Sequence, residues 1–574
     1  MTGIRAGLWA AVIGLVSLES AAVASASDVN SAADLVLIHG EVYSAGGWAQ
    51  AMAVTKGVIT AVGDDALIET YTGPKTNVID LHGKTVVPGL HDMHVHPTGA
   101  GQLHQQCVFP QGSSPDQVLE VIGGCVSKHA KGDWIVGGQW DAASFGDTPP
   151  NRAMLDKAAP DNPVSLMDIS AHSLWLNSKA LATVGITRNT PNPPGGVIEH
   201  DAEGEPTGIV RESVREIVMR AIPAATPAQN AAALKWALHQ MLAYGITSLT
   251  DAAVDEPIMQ AYATLADEGV LKQRVRGCVL WHPTLFSAPS GGMSDPILRR
   301  NLYARAHFTP DCVKIILDGV PTDGHTAAMV EPYADASRLD EARARGLLMV
   351  PQKLLDAAVT DFDKRGLTVK FHAAGDAAVR AGLDAIEAAR KANGFTGLLH
   401  DVGHNSFVQK EDIARARALH ATFEMSPYIW YPNPIIPDIE KAIGPERMKR
   451  WIPVKDAIDS GALVVPGSDW AVVPSVNPWI AIETLVTRQK PGGGGRPLGE
   501  GQRITLKQAM DLFTVNAARQ MGQANILGSI RPGFLADVIV LDRNPFRIPI
   551  ADVHRTTVRT VIIGGQVVLD AASK

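Results

Sequence analysis

Eight short apolar runs recur between residues 90 and 469, and helical stretches separate several of them. They are LHDMHVH, GITSLTDA (245–252), RVRGCVL (274–280), VKIILDG (313–319), TVKFHAAGD (368–376), LLHDVGH (398–404), ATFEMSP (421–427) and LVVPGSD (463–469). Runs of this length bounded by turn residues read as strands, while DAAVRAGLDAIEAARKA after the fifth reads as a helix. Eight strands alternating with helices specify an α/β fold, a TIM-like (β/α)8 barrel. The count reaches eight only if residues 101–240 are a large insertion after strand one. WIVGGQW and PVSLMDISAHSLWLNS give that insertion a core of its own and predict a lid over the barrel mouth.

The ends of the chain have a different texture. ADLVLIHGEVYSAGG, AQAMAVTKGVITAVGD and TNVIDLHGKTVVPG are short alternating β runs, and GFLADVIVLDRNP and TVRTVIIGGQVVLD repeat the pattern at the C-terminus. Residues 33–87 and 527–571 are therefore expected to pair into one composite β-sandwich domain, with residues 88–526 forming the barrel and its insertion. Before them, MTGIR, an apolar run of 13 and AVASA match a secretory signal peptide over residues 1–26. An exported protein, periplasmic or secreted and free of the membrane after cleavage, is the expectation.

Export bears on the four cysteines. Cys107 and Cys125 either form a disulfide or remain two buried thiols. Cys278 and Cys312, on strand-like runs, read as buried free thiols. A net charge of −8 offers no basic field for nucleic acid. A small-molecule substrate is expected, and a homo-oligomer is compatible with the chain.

The chemistry gathers at the strand ends. On a strand, residues i and i+2 share a face, so His94 and His96 project together and His91 points away. His372 lies within the fifth run, His404 ends the sixth, Asp469 ends the eighth, and Lys314 stands near the start of the fourth in apolar company. Four histidines, an aspartate and a lysine converging on the C-terminal mouth of a barrel are explained together by a metal site. Lys314 has two readings: an ion pair with a carboxylate such as Asp318, or a lysine carboxylated by CO2 into an anionic, metal-bridging ligand.

The set PGLxDxHxH, VKI, HAxGD, His404 and GSD resembles the amidohydrolase superfamily. WIVGGQWD, HSLWLNSKAL, PPGGVI, PTGIVRES, KIILDGVPTDGHTAAM and GSIRPGFLADVIVLDRNPF are similar to its YtcJ-like branch (the amidohydrolase 3 family), which includes N-substituted formamide deformylases. The resemblance implies one or two Zn2+ ions, with Fe2+ or Mn2+ as alternatives, and a CO2-derived carboxylate on Lys314. It assigns His94, His96, Lys314, His372, His404 and Asp469 as metal ligands, with Asp469 also the catalytic proton shuttle. The reaction it implies is hydrolysis of an amide, formamide, carbamate or cyclic amide C–N bond. A deaminase, an ester or lactone hydrolase, or a non-catalytic scaffold are the alternatives.

Four positions depart from the family pattern: His91 for Ile, Gly403 for a frequent Glu, Trp470 for a small residue and His325 for a frequent Arg. His172, Trp175 and Asn177 read either as a substrate-binding segment or as a helix start capped by Ser173, with Trp175 as packing. His325 is a further candidate for substrate contact, and Asp376 for orienting a ligand or capping the next helix. Trp134, Trp140, Trp430 and Tyr431 are candidates for an aromatic wall.

Overall fold

A computed structural model describes residues 32–571 apart from 111, 147, 170–172, 194–195, 282–294, 323, 339–343 and 427–434. The signal-peptide reading, His172, Trp430 and Tyr431 lie outside the described residues. At the centre, eight parallel strands follow one another in chain order: Leu90–Val95, Ile246–Val254, Arg274–Trp281, Phe308–Ile316, Thr368–Ala373, Asp401–His404, Thr422–Met425 and Leu463–Pro466. Each overlaps one of the eight apolar runs. The first strand meets the segment following the eighth through Asp469 N–H donating to the His94 carbonyl (2.7 Å) and His96 N–H to that of Trp470 (2.6 Å). Asp92 adds a staple, its Oδ1 accepting from the Ser468 and His94 amides.

The sequence supports this wall by parity. Outward residues such as Leu249, Val313, Val369 and Val402 are buried against the surrounding helices, in one continuous core with Leu234, Leu355 and Ile386. The inward positions are instead unusually polar: His94, Lys314, Lys370, Asp401 and Glu424 are all nearly or fully buried. A barrel interior is a packed core, so these charges must satisfy one another.

Two further sheets come from the chain ends. Leu35–Ile38, Ala51–Thr55, Val58–Gly63 and Asn77–Asp80 form one sheet. In the other, Thr85–Pro88 lies between Glu41–Ser44 and the C-terminal Val538–Leu541, so both ends of the chain share one sheet. Leu35, Leu37, Val42, Val86, Val538 and Val540 are buried together between them.

After the first strand, a six-stranded sheet comprises Cys107–Val108, Ile135–Trp140, Val164–Asp168, Ser173–Leu176, Pro206–Glu212 and Gly196–His200, in that spatial order. It has its own core, in which Trp175 is fully buried against Trp140 and Phe145. Both cysteine pairs are disulfides. Cys107–Cys125 ties the sheet edge to the helix Pro115–Val126. Cys278–Cys312 replaces the free thiols expected from sequence, because the two residues stand in direct register on adjacent barrel strands, with Cα atoms 4.1 Å apart.

Candidate metal centre

His94, His404 and Asp469 converge at the C-terminal mouth of the barrel, with one ligand atom from each lying within 4.8 Å of the others. They come from the first strand, the end of the sixth and the turn after the eighth. His404 and Asp469 have left-handed backbones (φ 73° and 58°), a conformation costly for non-glycine residues and concentrated at functional sites. His96, one residue beyond its strand, places Nε2 3.3 Å from Asp469 Oδ1. His94 Nε2 lies 3.7 Å from the same oxygen and 3.2 Å from Lys314 Nζ.

Electrostatics favour metal-ready bases. Burial, reinforced for His94 by Lys314 and for His404 by His372, holds both imidazoles well below the usual histidine range, so both stay neutral donors at physiological pH. Burial, then Lys370, lowers the Lys314 ammonium to about 8. Neutral imidazoles beside a buried aspartate make a donor set suited to a divalent cation.

Asp318 does not pair with Lys314. It accepts three backbone amides instead, from Ala328 (2.9 Å), Ala374 (3.0 Å) and Gly375 (2.8 Å), clamping the loop after His372. His372 itself lies beside the cluster, with its ring centroid 4.3 Å from that of His404 and Nε2 3.1 Å from the Gly319 carbonyl.

Beside the cluster opens a cavity bounded by His372, His404 and Asp469 and walled chiefly by Val320, Pro321, Ile435, Ile439, Trp451 and Val473. Of the residues proposed from sequence for substrate contact, Trp175 and His325 are placed elsewhere. Trp175 is an insertion-core residue, and Trp140 donates its indole N–H to the Leu166 carbonyl. His325 turns its Nε2 to Asp335 (2.9 Å) and packs edge-on against Tyr333, while Val320, Pro321 and Thr322 of the same loop meet the cavity. Ser173 begins a strand rather than capping a helix; Asn177 is the cap of Ser178–Val184, accepting from the Ala180 amide. Asp376 opens a helix and accepts from the Val330 amide, so it anchors the loop after strand four. His91 is buried on the opposite face, where burial depresses it to about 4.

Sequence reasoning missed Lys370, Asp401 and Glu424. Lys370 stands in direct register between Lys314 and Asp401. Its Nζ contacts both Asp401 oxygens (2.9 and 2.8 Å) and lies 3.7 Å from Glu424 Oε2. Glu424 in turn makes a short contact with His94 Nδ1. For Lys370 the available signal was i,i+2 parity, since TVKFH puts it on the face of His372; Asp401, three residues before His404, had no such signal.

Comparison with known proteins follows the same lines. A family model described as amidohydrolase family matches residues 77–569. The Bacillus subtilis protein YtcJ, an amidohydrolase by name, is 29% identical over 91% of this chain and 96% of its own. The N-substituted formamide deformylase of Arthrobacter pascens is 28% identical over 87% of this chain and 90% of its own. Among solved structures, a metal-dependent hydrolase from Pyrococcus horikoshii superposes with a TM-score of 0.71 at 24% identity, covering 90% of this chain and 99% of that one.

Proposed function

This chain belongs to the amidohydrolase family, and from that premise we propose that it is an exported metal-dependent hydrolase of a non-peptide C–N bond in a small, largely apolar substrate. The observation that carries the proposal is the buried His94–His404–Asp469 cluster opening onto an apolar cavity. The deformylase relative favours an amide or formamide over the deaminase and ester alternatives.

A divalent cation bound there, Zn2+ by donor type, supplies Lewis-acid polarisation of a carbonyl and a lowered pKa for water. His94, His404 and Asp469 would hold it, with His96 and His372 alongside, and Lys314, if carboxylated by CO2, would serve as a further ligand. Asp469, at the open edge of the cluster, accepts the proton of the attacking water and returns it to the leaving nitrogen, general acid–base work of the kind worth about 10²–10⁴-fold. The cavity's aliphatic wall and Trp451 seat the substrate's apolar group and exclude bulk water. Residues 1–26 would direct export, and the insertion reaches the mouth through Ile169 on the cavity wall and Gln139, whose Nε2 donates to the Ala471 carbonyl.

Elemental analysis of the native protein, followed by hydrolysis assays on N-formyl, N-acyl, carbamate, ester and lactone panels, tests this reading. One or two equivalents of divalent metal and turnover on a C–N substrate are expected. A metal-free folded protein, or turnover confined to esters, refutes it.

A further inference from the structure

Glu424 is fully buried on the seventh strand and touches the metal cluster without belonging to it. Its Oε2 meets His94 Nδ1, with Lys370 Nζ 3.7 Å away favouring the ionised form. Its Oε1 accepts the hydroxyl proton of Ser426 at 3.0 Å. A serine hydroxyl has one proton to give. With that proton directed at Glu424, Ser426 Oγ accepts from His404 Nδ1–H, also at 3.0 Å. An ionised carboxylate only accepts, so His94 Nδ1 donates to Glu424. His94 then carries its proton on Nδ1 and its lone pair on Nε2, the nitrogen 3.7 Å from Asp469, while His404 is held through Nδ1, which also lies 3.9 Å from Asp469 Oδ2; one strand-seven unit holds both rings.

Space for this unit is built into the neighbouring strands. Gly403 pairs directly with Glu424 across the sheet. A Cβ at 403 would lie 2.7 Å from Glu424 Oε2 and 2.7 Å from the Phe371 carbonyl, so the carboxylate fits only opposite glycine. Gly467, on the other side, has the same close approach to the Glu424 carboxylate and the His94 side chain.

We infer that Glu424 and Ser426 are positioning residues that fix the tautomer and ring orientation of His94 and His404 for one shared divalent cation. The inference rests on the metal-dependent hydrolase reading. Carboxylate and hydroxyl partners behind ligating histidines raise ligand basicity, and losing them typically costs 10–100-fold in metal affinity. Lys370 belongs to the same unit as the counter-ion that Glu424 shares with Asp401.

The test is Co2+ and Zn2+ titration of chelator-stripped protein, with affinities from competition against a chromophoric chelator and coordination read from the visible bands of bound Co2+. Glu424→Gln should bind about 10–100-fold more weakly. Ser426→Ala, a small change that spares the carboxylate, should bind several-fold more weakly, and both should alter the Co2+ bands while far-UV circular dichroism stays wild-type. Wild-type affinities and spectra in the folded variants overturn the positioning role and leave the hydrolase reading standing. A wild-type protein that takes up neither ion overturns both. If Glu424→Gln does not fold, Ser426→Ala decides alone.

Discussion

Lys370→Met removes the cation around which the barrel interior is balanced. The ammonium is fully buried, contacts Asp401 at 2.8 Å and lies 3.7 Å from Glu424. At an effective dielectric of about 20, those separations correspond to gross attractions of roughly 6 and 4 kcal/mol, much of it offset by desolvation. Breaking a buried ion pair by deleting one partner typically costs about 3–5 kcal/mol, because the surviving charge is stranded. Two features place this case near the lower bound. Gln520 Nε2 donates to Asp401 and Ser426 Oγ to Glu424, so neither carboxylate is left bare. With Lys314 uncarboxylated, removing Lys370 also relieves its repulsion of the Lys314 ammonium, in register on the next strand. The expected loss is therefore about 3 kcal/mol.

That loss carries a pH signature. Burial already lifts the Glu424 carboxyl to about 7, against which Lys370 is the largest opposing influence. Without Lys370 the folded value rises further above the unfolded one. A carboxyl raised on folding destabilises progressively as pH climbs from its unfolded value through its folded value. The variant should therefore lose more stability relative to wild type at pH 8 than at pH 6. Urea unfolding followed by tryptophan fluorescence at both pH values measures the effect. A midpoint equal to wild type at both would refute the claim that Lys370 is the counter-ion of this network.

Asp469→Asn should lower kcat by about 10²–10⁴-fold with circular dichroism unchanged, and retained turnover would remove Asp469 from proton transfer. His91, depressed by burial to about 4 from 6.5, contributes stability that is complete above about pH 6.5 and is lost as pH falls towards 4. Wild type should thus lose up to roughly 3 kcal/mol more than His91→Leu between pH 7 and pH 4, and parallel urea-midpoint curves would contradict this. Replacing Cys278 and Cys312 together by alanine opens a crosslink spanning 34 residues and should cost about 4 kcal/mol in the chain-entropy model, read as a lower unfolding midpoint. Stripping metal with a chelator should abolish turnover, and re-addition of Zn2+ should restore it; full activity in the stripped protein would exclude metal dependence.

The barrel was legible because a closed parallel sheet writes itself as separate apolar runs between turn residues, and all eight runs became strands. His94 and His96 were separable from His91 by alternation alone. What sequence could not supply was pairing across the barrel. Glu424 in ATFEMSP has nothing nearby to mark it as buried, and the histidine it touches is 330 residues away. Lys370 and Asp401 lie opposite one another only once the strand register exists. Register also decided Cys278 and Cys312, which sequence left as separate thiols. Trp175 and His325 show the converse: motif position suggested a substrate role, while packing against Trp140 and pairing with Asp335 place them off the cavity wall.

The central claim is a divalent cation shared by His94, His404 and Asp469. Crystals of protein purified with Zn2+, measured on both sides of the zinc absorption edge, test it most directly. The account predicts an anomalous peak at roughly 2.0–2.2 Å from a nitrogen of His94, a nitrogen of His404 and an oxygen of Asp469. Ordered density for these three side chains with no anomalous peak between them would contradict it.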